Sequence, residues 1–145
     1  MIRLGLQGKL YYNEGTWAAP VWVEVGNVRD LTLNLEKGEA DVTTRANSGW
    51  RAILATLKEG TIEFEMVWDT EDPAFMVFFM SWLNDTPVEC ANMDGDIASA
   101  GSSGLHAVFN VTNISRSEPL EEAMGASVTV KPTYAVNAPE WLVTT

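Results

Sequence analysis

The chain has 145 residues, 46% of them hydrophobic, 20% charged and 10% aromatic, a composition that suits one folded domain and excludes both disorder and a collagen-like repeat. Asp plus Glu number 20 against 9 Lys plus Arg, a formal charge of -11. Such a balance argues against a surface built to grip phosphates, because that binding relies on Lys and Arg displacing counterions. It still allows a protein whose task is to keep nucleic acid from sticking. The lone cysteine, Cys90, excludes an intramolecular disulfide and a Cys-based zinc or redox pair. Charges and glycines within Met1–Leu10 leave no signal-peptide pattern, and the apolar run Ala74–Met80 is far short of the roughly 20 residues of a membrane helix. Synthesis in the cytoplasm is the expectation.

Taken in chain order, most segments alternate apolar and polar residues, the mark of half-buried strands. Val21, Val23 and Val25 alternate with Trp22 and Glu24, and Leu31, Leu33 and Leu35 with Thr32 and Asn34. The clearest pattern sets Ile62, Phe64, Met66 and Trp68 on one face, with Thr61, Glu63, Glu65 and Asp69 on the other. One helix is expected over Asp72–Leu83: Asp72-Pro73 supplies an N-cap followed by proline at the first helical position. Phe75, Phe78, Phe79, Trp82 and Leu83 then recur at helical spacing, with Phe75, Phe79 and Trp82 as the expected core. Leu105, Ala107, Phe109 and Val111 form another strand face, and Ala126, Val128 and Val130 oppose Ser127, Thr129 and Lys131. Near Thr112–Ile114 the alternation slips by one, predicting a bulge or a strand that changes sheets. The expected class is mainly β, a β-sandwich or partly closed barrel with one flanking α-helix and a long polar inter-strand loop. That loop, Glu36–Gly49, has Val42 as its one sizeable apolar residue. A structureless connection of this length is uncommon without a job, and a polar hairpin is the plainer alternative.

Catalytic constellations are missing. His106 is the only histidine and falls within a strand pattern, where a structural role is expected. No serine lies in a Gly-x-Ser-x-Gly turn, and no phosphate-binding glycine loop or His-Glu-x-x-His is present. Asp94-Gly-Asp96 near Glu89 does not follow the spacing of a calcium loop, and Glu63 with Glu65 reads as a solvated strand face rather than a glycosidase pair. No cofactor, metal or catalytic residue is expected. Asn84-Asp-Thr, Asn110-Val-Thr and Asn113-Ile-Ser match the glycosylation triplet and carry no weight without a secretory signal. Trp17 and Trp22 beside Tyr11 and Tyr12 are core or contact aromatics, or alternatively a stacking platform.

The order of features resembles the major tail tube proteins of long-tailed bacteriophages. The resemblance spans nearly the whole chain: Gly8–Tyr12 and a hairpin ending in Trp22–Asp30; Leu33–Arg45 with Asp41-Val-Thr-Thr-Arg45, then Ser48-Gly-Trp50; Gly60–Trp68 and the helix; Ser115–Leu120; and the final Ala126–Thr133. It implies a virion structural protein of hexameric rings stacked into a hollow tube, through which DNA passes without specific binding. It also implies tape-measure, terminator and baseplate proteins as partners. The loop carrying Glu36, Glu39, Asp41, Thr43, Arg45 and Trp50 would reach the neighbouring ring, and Glu63 and Glu65 are candidates to line the lumen, where negative charge repels the genome. Six copies at -11 give 6 × -11 = -66 per ring, a repulsion that apolar contacts and strand pairing between subunits must offset. The alternative is a carbohydrate-binding β-sandwich using Trp17, Trp22 or Trp50.

Overall fold

The computed structural model describes residues 1–145. Its strands are β1 (Lys9–Asn13), β2 (Trp22–Glu24), β3 (Val28–Asp41), β4 (Ile53–Val67), β5 (Val88–Met93), β6 (Ser103–Ser117), β7 (Gly125–Pro132) and β8 (Glu140–Val143), with one helix, α1 (Pro73–Asn84). All pairings are antiparallel, in the order β2-β1-β5-β6-β7-β4-β3, and β8 pairs with β6.

β6 makes the sheet fold back on itself. Its first half pairs with β5 through Gly104–Phe109 and with β8 through Ser103–His106, whereas its second half pairs with β7 through Phe109–Ser117. A register shift between Val111 and Asn113 marks the transition, at the point where the alternation slips. One layer is therefore β2-β1-β5-β6 with β8, and the other is β6-β7-β4-β3. Leu10, Tyr12 and Cys90 from the first layer and Ile62, Phe64 and Val128 from the second belong to one buried cluster. The arrangement is sandwich-like, and the sheet is not closed into a barrel.

β4 shows how the pattern fixes the core. Ile62, Phe64 and Met66 are buried, and Glu63 and Glu65 between them are exposed. Phe64 lies in register with Leu31 of β3 and Val128 of β7, so three strands contribute to one apolar row. Each such large side chain contributes about 1.5–3 kcal/mol when fully buried.

α1 begins as the sequence predicts: the Asp72 carboxylate accepts from the Ala74 N–H at 3.2 Å and Pro73 opens the first turn. It ends at Asp85, in the left-handed region with φ 55°. Phe75 and Phe78 are each 1% exposed. Phe78 meets Phe64 edge-on at 5.1 Å, and Phe75 meets Trp68 at 4.9 Å. Trp82, expected in the core, is instead 46% exposed, and Phe79 is half-buried. The cause is visible in the sequence: Pro73–Leu83 contains no charged residue, so helical spacing alone does not single out one inward face.

The expected structureless loop is also corrected. Glu36–Asp41 continues β3, and β4 begins at Ile53, so the segment forms the distal part of a long β-hairpin whose tip spans residues 42–52. This is the polar hairpin that the sequence allowed as the plainer alternative.

Candidate assembly interface

The hairpin projects beyond the body as an arm. β7 covers β4 only from Ile62 onward, and from Gly60 to Ile53 the sole partner of β4 is β3. A Cβ at Gly60 would lie 2.6 Å from Leu105 Cδ2, so the arm leaves the body at a residue where only glycine fits without displacing a core leucine. Its pairings include Glu36 with Glu59, Lys37 with Lys58, Glu39 with Ala55, and Asp41 with Ile53. The tip satisfies its own backbone. Thr43 Oγ1 accepts from the Ala52 N–H at 2.9 Å, Asn47 Nδ2 donates to the Trp50 carbonyl at 2.8 Å, and Ser48 and Gly49 turn the chain with φ of 54° and 82°. Hydrogen bonds from the Thr43 side chain and backbone hold the Asp41 carboxyl below the usual carboxylate range. Arg45 lies in a short 3₁₀ turn. Trp50 is 76% exposed and Leu57 80%, and Ile53 and Leu54 are exposed beside them. Every named loop residue thus sits on one arm. Ile53, Leu54 and Leu57 were missed, although an apolar run without clean alternation next to a polar stretch is the signal that marks them.

The body presents a second surface. On the face of the β6-β7-β4-β3 layer turned from the core, register brings together Thr32, Glu63, Glu65, Ser127, Thr129 and Ser115. Glu63 and Glu65 are neighbours on this face, flanked by hydroxyl side chains. The layer also has two open edges: no strand pairs with β3 opposite β4, nor with the Asn110–Ser117 half of β6 opposite β7.

The histidine and the Asp94–Asp96 carboxylates singled out in the sequence are engaged internally. His106 is 3% exposed, with Nδ1 2.9 Å from Glu140 Oε1 and Nε2 2.9 Å from Glu89 Oε2. The Trp17 ring stacks on it at 3.8 Å and Trp22 approaches edge-on at 5.0 Å. The expected structural histidine therefore ties β8 to β5 through β6, and two of the candidate platform tryptophans cover it. Asp94 Oδ1 accepts from the Ser103 N–H and Asp96 Oδ1 from the Ala98 N–H, each at 2.9 Å, the work of a turn. Burial pushes the Cys90 thiol far up and also raises Tyr11.

In fold the chain is similar to a protein in the tail of an empty GTA particle refined with helical, C6 symmetry, with a TM-score of 0.76 and 12% identity over 99% of this chain and 100% of that one. It is similar to a chain of the native gene transfer agent virion, with a TM-score of 0.75 and 12% identity over 98% and 100%. For the SPP1 tail tube, solved by solid-state NMR and cryo-EM, the TM-score is 0.68 with 11% identity over 90% and 75%. No curated protein sequence matches. The profile of the family described as phage tail tube protein matches residues 9–137. The chain therefore belongs to the phage tail tube protein family and is a structural tail component, not an enzyme.

Proposed function

We propose that six copies of this chain close into a ring and that rings stack into a tube through which DNA reaches the host. The observation that carries this reading is the pair of open edges on one four-stranded layer. Three successive antiparallel pairings separate β3 from β6, so β6 runs antiparallel to β3. A copy rotated about a ring axis then offers its β6 edge to the β3 of its neighbour in antiparallel sense. Six copies of four strands, 6 × 4 = 24, would close into a barrel with no edge left exposed. Sixfold closure is supported by the C6 symmetry of the GTA tail. The polar face bearing Glu63 and Glu65 becomes the lumen, where like charge and hydroxyl groups let phosphates slide past. The arm spans to the adjacent ring. Tape-measure, terminator and baseplate proteins would meet the tube at its lumen and its ends.

Negative-stain microscopy of the concentrated protein tests this reading: rings or tubes are expected, and a persistent monomer would refute it. For the lumen, Glu63→Lys with Glu65→Lys in assembled particles should slow DNA ejection at low salt and less so at high salt. Unchanged ejection at low salt would remove the electrostatic lining and leave the tube. A carbohydrate platform is less favoured, because Trp17 stacks on His106 and Trp50 stands alone at the arm tip.

A further inference from the structure

The tip of the arm, just beyond Asp41, and the opposite end of the same strand carry opposite charges. Between residues 42 and 52 the tip holds Arg45 and Arg51 and no acid, within a chain of net charge -11. The other end of β4 is Val67, in register with Gly125, which is itself in register with Ser117. The turn after β4 and the turn between β6 and β7 therefore emerge side by side, and the Trp68 N–H donates to the Met124 carbonyl at 2.8 Å between them. These two segments, 68–72 and 118–124, hold Asp69, Glu71, Asp72, Glu118, Glu121 and Glu122 without a Lys or Arg of their own; Arg116 beside them pairs with Glu118 at 2.7 Å and lies over the Trp68 ring, which leaves the other five carboxylates without an ion-pair partner. Leu120 among them is fully exposed. The arm tip matches this mixture with Trp50 and Val42, 76% and 48% exposed.

The geometry points to a head-to-tail contact in which the arm tip of one copy docks on the acidic end of a second copy, Arg45 and Arg51 meeting the Glu118–Glu122 turn and the Asp69–Asp72 turn, with Trp50 against Leu120. Polarity supports the pairing. Copies stacked in the same orientation bring the Ile53 end of one β4 toward the Val67 end of the next, a heterologous contact that propagates instead of closing. Charge complementarity sets register and orientation, and the apolar residues at its centre supply area removed from water. This inference rests on the tube reading and identifies what the arm grips.

Charge reversal tests it with the full-length chain. Arg45→Glu with Arg51→Glu should abolish tubes, and so should Glu121→Lys with Glu122→Lys. The chain carrying all four changes should assemble again, since each tip then meets an end of opposite sign. All these side chains are exposed, so thermal unfolding should stay close to wild type and separates lost assembly from lost folding. As an independent measurement, Arg51→Cys with Glu121→Cys should give an oxidised ladder of cross-linked chains, Cys90 being buried. Wild-type tubes that tolerate either reversal, or a folded four-change chain that fails to assemble, overturn the docking alone. Absence of wild-type tubes overturns the tube reading, and the docking with it.

Discussion

The two halves of β4 have the same backbone pairing and opposite burial. From Gly60 to Met66 every second residue is buried, whereas Ile53–Glu59 is exposed throughout. Hydrogen bonding to β3 continues along both halves. What separates them is whether a second layer and a helix cover one face, so the body is stabilised by its own core and the arm is not. A two-stranded ribbon without such cover is marginal in water, and its exposed leucines gain their burial only when something docks.

Three changes sharpen that contrast. Phe78→Ala, inside the body, should lower the free energy of unfolding by about 3–5 kcal/mol, the usual cost of an aromatic cavity. Denaturant unfolding reads this directly, and a loss below about 1 kcal/mol would mean the helix does not seal the core. His106→Ala should cost about 2–4 kcal/mol, because Glu89 would keep a half-buried carboxylate without its imidazole partner and Trp17 would lose its stacked ring. A fluorescence change at Trp17 and Trp22 should accompany it. In the arm, replacing residues 42–52 by Asn-Gly should shift stability by no more than about 0.5 kcal/mol, as expected for a surface change that touches no core residue. Calorimetry of the truncated chain checks this, and microscopy of the same sample should show no tubes.

How much of this was legible depended on whether one face was dry. Ile62-Glu-Phe-Glu-Met66 announced both its strand and its inward side, because alternation survives where one face meets the core and the other water. The bulge after Val111 was readable for the same reason, as a slip in phase. β5 was not, since Val88–Met93 is covered on both faces and leaves no alternation to read. Trp82 was misplaced because a helix apolar all round carries no phase. The arm appeared as a loop because Glu36-Lys-Gly38 looks like a turn, although Gly38 sits at a register shift between Lys37 and Glu39 inside a continuing strand. That the loop reaches a neighbouring ring came from the resemblance alone; the surface proposed to receive its tip left no local signal, since Glu118 lies more than 60 residues from that tip.

The arm's register has one more consequence. Glu36 lies directly across from Glu59 and Lys37 from Lys58, pairs of like sign that weaken a ribbon by about 0.2–1 kcal/mol each. Successive residues on a strand point to opposite faces, so the Glu36–Glu59 pair and the Lys37–Lys58 pair lie on opposite faces of the ribbon. A second arm added edge-on in the same register would set each pair beside another of its own sign. The ribbon's exposed backbone is thereby a poor template for edge-to-edge pairing with a second arm in that register, even though it displays a bare strand edge and uncovered leucines.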